Sequence, residues 1–367
     1  MHVQTNELNL LQESSSFLIL ERAKVRESID SLHTKLPPGG RIMAMVKADG
    51  YGQGALRFSK LLSEEGIDIF GVAYLAEGIA LRQGGIRDDI FVMHALPNQV
   101  EQLVFWNLQV GISDEAMLQA LAREAERQST LAKIHLHINT GMTRFGVNPR
   151  DALSLAKRLW TSPHIKLEGV MTHLASSDDE EQDSFTLAQI RTFDSVLTTL
   201  QEQGIKPQWM HAANSAGLLR FGSHLNMARV GISLINKATT FVSKIVHIHE
   251  CMQGDTVGYH RRYQVKKDHE RIGVISCGYH DGIPCSISGK GYADILGKKA
   301  PYVGKVCMDY MMVDLTNIRE ANLFDEVLLF GTYKGSHISL DLFAEWAGTI
   351  SHEILCKIAS RVHKIYL

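Results

Sequence analysis

Eight short apolar runs in the first two-thirds of the chain constrain its fold more than any other feature. They are Arg41–Ala48, Phe70–Tyr74, Ile90–His94, Leu108–Ile112, Ile134–Asn139, Leu167–His173, Trp209–Ala213 and Met227–Ile232. Most are rich in Val and Ile, and each is short enough for a strand. Between most of them lie stretches with apolar residues at helical spacing, such as Ala55–Glu64, Glu115–Ala125, Asp151–Trp160 and Leu187–Gln203. Strand and helix in alternation make the strands parallel, because a parallel neighbour is reached only by a crossover. About eight such units is the number that closes a (β/α)8 barrel of roughly 250 residues. A doubly wound open sheet is the other α/β arrangement of the same pattern.

After Lys237 the pattern changes. Polar and apolar residues alternate in Ser243–His249 and Arg271–Ser276, and glycine and proline punctuate Gly282–Gly291, Gly297–Gly304 and Phe330–Gly335. This predicts a barrel domain over residues 1–237 and a mainly β domain over 238–367, with the N-terminal segment free to join either. A last helix is expected over about Leu340–Ile358.

Composition narrows the function. Lys+Arg 38 against Asp+Glu 40 gives a net charge of −2, which argues against a nucleic-acid binder or a protein drawn to anionic membranes. The five cysteines include no CxxC pair, so a reducing compartment is expected rather than a disulfide framework. Met1–Glu13 is polar without a signal-peptide pattern, and no apolar run approaches the ~20 residues that span a bilayer. A cytoplasmic protein is expected. The 17 histidines invite a metal site, but neither His135/His137 nor His247/His249 has further ligands at suitable spacing, so none is expected.

The segment Met45-Val-Lys-Ala-Asp-Gly-Tyr-Gly-Gln-Gly54 is the richest in chemistry. Lys47 falls at the end of a predicted strand, where barrel enzymes carry their active sites. A lysine there either snorkels to solvent or has the depressed pKa that an amine needs to form a Schiff base. The glycines and Tyr51 weaken the first, the common reading of a lone lysine, since they allow tight turns and close approach of backbone to a ligand.

This segment resembles the pyridoxal-phosphate attachment site of alanine racemases. Seven further stretches resemble that family in order: Thr140–Gly146, Met171–Ala175, His211–Ala216, Arg229–Ile232, Val257–Tyr259, Gly278–Gly282 and Gly304–Asp309. The resemblance implies a pyridoxal-phosphate-binding (β/α)8 barrel followed by a β domain. It also implies a homodimer in which each site joins one subunit's barrel to the other's C-terminal domain. The activity implied is interconversion of L- and D-alanine, supplying D-alanine for peptidoglycan.

The same resemblance assigns residues. Lys47 would hold the cofactor and, once released by substrate, act as a base on one face of the α-carbon. Tyr259 of the partner subunit would be the acid/base on the other. Arg144 would lie near the cofactor's phenolic oxygen and the substrate carboxylate. Arg229 would donate to the pyridine nitrogen and keep it unprotonated, with His173 bonded to that arginine. Tyr51, Asn214, Ser215, Gly231 and Ile232 would hold the phosphate end. Cys307 and Met308 would approach the substrate carboxylate, and Tyr279 would line the entry corridor.

Three departures from the family pattern bear on specificity. His137 stands where many relatives carry a carbamylated lysine, so Arg144 needs another orienting group, an anion or His137 and Asn139. Leu234-Ile-Asn236 lacks the family tyrosine. Ser360 stands where relatives have a tyrosine that walls the pocket, which predicts tolerance of amino acids larger than alanine. The alternatives are a broader serine or lysine racemase, a barrel-type amino-acid decarboxylase and a non-catalytic pyridoxal-phosphate carrier.

Overall fold

The computed structural model describes residues 14–367. The signal-peptide expectation for Met1–Glu13 lies outside them. The chain forms two compact units: one holds the residues up to Glu27, Tyr51–Gln53 and Leu234–Leu367, the other Ser28–Gly50 and Gly54–Ser233.

The first strand, β1 (Ser16–Leu20), belongs to the former unit. The second unit is a closed barrel of parallel strands. In order they are β2 (Arg41–Met45), β3 (Ile69–Val72), β4 (Asp89–Val92), β5 (Gln109–Ile112), β6 (Ala132–His137), β7 (Ile165–Met171), β8 (Trp209–His211) and β9 (Met227–Val230). β9 pairs with β2 and closes the ring, with Arg229 opposite Met43. All eight runs read from the sequence contain strands; six strands are shorter than their runs, and β6 and β7 have the same length but begin two residues earlier.

Helices follow the strands. Ala55–Glu64 buries Phe58, Leu61 and Leu62, and Glu115–Arg127 buries Met117, Leu118 and Leu121, each on one face. Asp114 caps the latter by accepting from Met117 N. Arg22–His33, Leu75–Gln83 and Val100–Phe105 are also helical. The last carries fewer than two turns, too short for a periodicity signal.

The other unit is a β domain of mainly antiparallel strands. They are β10 (Thr239–Cys251), β11 (Thr256–Val257), β12 (Tyr263–Gln264), β13 (Glu270–Ile275), β14 (Tyr292–Ile295), β15 (Lys298–Val303), β16 (Met311–Asp314), β17 (Glu326–Tyr333), β18 (Ser336–Ile338) and β19 (His363–Tyr366). The long β10 pairs with β1, β13 and β17, and β1 also pairs in parallel with the C-terminal β19. Phe17, Ile19, Val242, Leu328, Ile338 and Ile365 form one core cluster, so β1 is fastened by side chains as well as by its ladders.

The single helix expected over Leu340–Ile358 is two, Leu340–Ala347 and Ser351–Cys356. Gly348 lies between them at φ 71° and ends the first in a left-handed cap.

Candidate active site

Lys47 does not end a strand, as the sequence had suggested. β2 stops at Met45, and Lys47 opens a turn in which Ala48, Asp49, Gly50 and Tyr51 have φ of 53°, 54°, 65° and 54°. Left-handed backbone costs a non-glycine residue roughly 1–2 kcal/mol, so three such residues need support. The Glu77 carboxylate supplies part of it by accepting from the backbone N–H groups of Ala48, Ala73 and Tyr74 at 2.7, 2.8 and 3.0 Å. Asp49 turns its carboxylate onto Ala55 N at 2.8 Å. Glu77 was not read from the sequence. Its only signal is an acidic residue in the first turn of a helix, a common pattern with no link to Lys47.

Arg229, on β9, is 3% exposed, and its partners are all neutral. Nη1 donates to His211 Nδ1 at 2.6 Å, and Nη2 donates to Thr172 O at 2.7 Å and His173 Nδ1 at 3.0 Å. The Arg229–His173 bond is the one the family resemblance implied. Burial, and then the charge of Arg144, lowers the Arg229 pKa to about 9, which still leaves it protonated at neutral pH. His173 is driven well below 6.5 by burial first, then by Arg229, Arg144, His137 and Lys47. The barrel mouth thus gathers Lys47, Arg144 and Arg229 around an imidazole held neutral.

Arg144 sits on a loop folded by Asn139, whose side-chain oxygen accepts from Gly141 N and Thr143 N, both at 3.0 Å. Asn139 therefore braces the loop backbone. Gly146 is required here, because a Cβ would lie 2.5 Å from Asn139 N. His137 is 3% exposed with Nδ1 unpaired, and burial followed by Arg229 and Arg144 lowers its pKa to about 3. A small cavity joins His137, Asn139, Thr140, Arg144, Thr172 and His173. Gln189, on the helix Asp183–Glu202, donates to Thr140 Oγ1 and His173 O and ties two walls of this cavity together.

Asn214 caps the helix Ser215–Phe221, accepting from Gly217 N at 2.8 Å. Ser215 Oγ accepts from Gly231 N at 3.2 Å. Gly231 and Ile232 follow β9 directly. Asn214, Ser215, Gly231 and Ile232 therefore meet at one rim of the barrel.

The remaining sequence-predicted residues belong to the β domain unit. Tyr51 is buried there, its ring 6.0 Å from that of His352. Tyr259 is 64% exposed on a turn after β11, with Gly258 and His260 at φ 73° and 59°. Tyr279 and Met308 are 45% and 51% exposed, on two loops that run side by side. Tyr279 N donates to Cys307 O and His280 N to Met308 O, both at 2.9 Å. Arg361 fastens this pair, with Nε and Nη2 donating to the Asp281 carboxylate at 2.7 and 2.8 Å and Nη1 to Asp309 at 2.8 Å. Ser360 is exposed next to that clamp. Asp281 and Arg361 are 80 residues apart, so their pairing had no sequence signal. Among the described residues no group of three or more His, Cys, Asp or Glu is gathered to hold a metal, and no helix is long and apolar enough to cross a membrane.

Comparison with known proteins agrees with this geometry. The family described as alanine racemase, N-terminal domain, matches residues 20–237, and alanine racemase, C-terminal domain, matches 238–366. The chain is 35% identical over 358 residues to the alanine racemase of Symbiobacterium thermophilum, covering 93% of this chain and 94% of that one. It is 35% identical over 342 residues to that of Halothermothrix orenii, covering 89% and 90%. Among solved structures, the alanine racemase from Bacillus anthracis with bound L-Ala-P superposes with a TM-score of 0.86 at 28% identity, covering 96% and 95%. The one from D-cycloserine-producing Streptomyces lavendulae superposes at 0.89 and 25% identity, covering 96% and 97%. The enzymes of this family depend on pyridoxal phosphate. With both family domains matched in order across nearly its whole length, the chain belongs to the alanine racemase family.

Proposed function

We propose that this enzyme interconverts L- and D-alanine, with Lys47 and Tyr259 as its two proton carriers. The observation that carries the reading is Arg229: a buried guanidinium at the barrel mouth, satisfied by imidazoles and carbonyls, with no carboxylate among its hydrogen-bond partners. The residues present fit pyridoxal phosphate. Lys47, Arg144 and Arg229 supply positive charge for an anionic ligand, and Ser215 Oγ with the Gly231 amide offers polar groups at the rim. Bound there, the cofactor supplies an electron-withdrawing ring that acidifies the α-hydrogen of an attached amino acid.

Arg229 cannot give up its proton in the way an aspartic acid can, so it would face the ring nitrogen as a donor that does not transfer its proton. A guanidinium in that place, rather than a carboxylic acid, would favour quick return of the α-proton over side reactions. Arg144 orients the substrate carboxylate. Lys47 takes or returns the α-proton on one face, and Tyr259 of the partner subunit does so on the other, because inversion requires acid and base on opposite sides. Cys307 and Met308 of the partner subunit close the carboxylate end, and Tyr279 of the partner subunit lines the way in. The homodimer and a cytoplasmic, cell-wall-supplying role belong to the same proposal.

The exposed Ser360 beside the Asp281–Arg361 clamp supports a second reading, a pocket wide enough for serine or lysine. The test is incubation with L-alanine, L-serine and L-lysine separately in deuterated water, following chirality and loss of the α-proton signal together. Rapid formation of deuterated D-alanine alone is expected of a dedicated alanine enzyme. Serine and lysine turnover both below a hundredth of the alanine rate would eliminate the wide-pocket reading. Release of carbon dioxide would point to a decarboxylase, and no exchange at all would defeat the racemase reading.

A further inference from the structure

A chain of hydrogen bonds crosses the barrel interior behind Arg229. Arg229 Nη1 meets His211 Nδ1 at 2.6 Å, His211 Nε2 meets His135 Nδ1 at 2.7 Å, and His135 Nε2 meets Gln109 Oε1 at 2.8 Å. Its members come from β9, β8, β6 and β5, and all are nearly or fully buried. The step from β6 to β8 passes β7, where Gly169 stands in register with His135. A Cβ at Gly169 would lie 2.3 Å from His135 Nδ1, so the glycine makes the crossing possible. Phe91 packs its ring 4.7 Å from His135 and 6.1 Å from His211 and shields both from water.

The polarity of this chain is forced. A guanidinium donates and never accepts. His211 Nδ1 must therefore be bare and its proton must sit on Nε2. That proton points at His135 Nδ1, which must also be bare, leaving the His135 proton on Nε2 and directed at the Gln109 carbonyl oxygen. If the Gln109 amide were turned over, each imidazole proton would shift to Nδ1, and His211 would face Arg229 donor to donor. The present orientation leaves Gln109 Nε2 without a partner among the described residues, a cost accepted to keep the chain in order.

We propose that Gln109 is a positioning residue. It supplies the acceptor that ends the Gln109–His135–His211 chain, and so holds the two imidazoles, and through them Arg229, in one orientation toward the cofactor ring. This rests on the reading that Arg229 faces that ring. Gln109 touches neither substrate nor cofactor and acts only through the two histidines.

The test uses protein labelled with ¹⁵N-histidine, with and without pyridoxal phosphate. In the wild type at pH 7, ring ¹H–¹⁵N spectra should show His135 and His211 each protonated at Nε2 and bare at Nδ1. Protonation of either at Nδ1 would overturn the proposal before any variant is made. Gln109→Met keeps the length of the side chain and removes the acceptor. The His135 proton stays on Nε2 but loses its acceptor, so its ¹H signal should move upfield and exchange faster with water, pyridoxal-phosphate binding should weaken about tenfold, and kcat should fall with little change in KM for alanine. An unchanged His135 Nε2–H signal in this variant would overturn the role of Gln109. A shifted signal with unchanged cofactor affinity and absorption spectrum would overturn it differently, by showing that Arg229 does not face the ring.

Discussion

At the scale of single residues, burial holds the imidazoles of the site neutral. His135 and His137 both have pKa values lowered to about 3, with burial the largest cause in each. In the unfolded chain the same side chains titrate near ~6.5. Between these values the unfolded state binds a proton that the folded state refuses. The stability contributed by each neutral imidazole is therefore complete above about pH 6.5, falls as the pH drops, and is exhausted near pH 3. Each adds up to about 1.4 kcal/mol per pH unit to the slope in that window. Urea unfolding at steps from pH 7.5 to 4.5 should show the fall, and His137→Gln should remove about one proton from the slope. Comparison with the parent cancels the carboxylates that titrate in the same range. Equal slopes in parent and variant would mean that His137 is not held neutral.

At the scale of elements, two loops of the β domain depend on one glycine. Gly278 has φ −150°, so its backbone is open to any residue, but a Cβ would lie 2.4 Å from the carbonyl oxygens of both Cys307 and Met308. Backbone atoms cannot swing aside as a side-chain tip does. Gly278→Ala should part the loops, cost about 1–3 kcal/mol of stability and lower kcat/KM at least about tenfold, with pyridoxal-phosphate affinity preserved because the cofactor is assigned to the barrel. Steady-state kinetics beside a cofactor titration checks this; wild-type kcat/KM would remove these loops from the reaction. The same loops mark the limit of what the sequence discloses. Gly278 and Tyr279 could be picked out as a motif, but the Asp281–Arg361 clamp beneath them joins residues far apart in the chain. The eight barrel strands were legible because each is a local apolar run, and Ala55–Glu64 because its apolar spacing is regular. β1 gives no local sign that its partners are β10 and β19, more than 200 residues away. The left-handed turn after Lys47 was half legible: the glycines at 50, 52 and 54 announce tight turns, while nothing announces positive φ at Ala48, Asp49 and Tyr51. The break after Ala347 shows the converse, since the apolar period runs on past Gly348 and the backbone does not.

At the scale of the whole molecule, the proposed proton carriers lie in different units, Lys47 in the barrel and Tyr259 in the β domain. The β domain presents Tyr259, Tyr279, Met308 and Tyr310 at 64%, 45%, 51% and 48% exposure, large side chains that a second copy would cover. If each site takes its lysine from one copy and its tyrosine from the other, two inactive variants should complement. In a mixed dimer of Lys47→Ala with Tyr259→Phe, one site carries both substitutions and the other carries neither. Random exchange of equal amounts makes half the dimers mixed, so one site in four is intact and activity should return to about 25% of wild type. The mixture should be unfolded and refolded together, or the chains co-expressed, so that subunits exchange. Each variant refolded alone gives the baseline, and light scattering gives the assembly state. Recovery near a quarter, in a particle of twice the chain mass, requires a site shared between copies. No recovery despite confirmed mixed dimers would place both groups in one chain. A monomeric wild-type particle with full activity would exclude any role for a second copy.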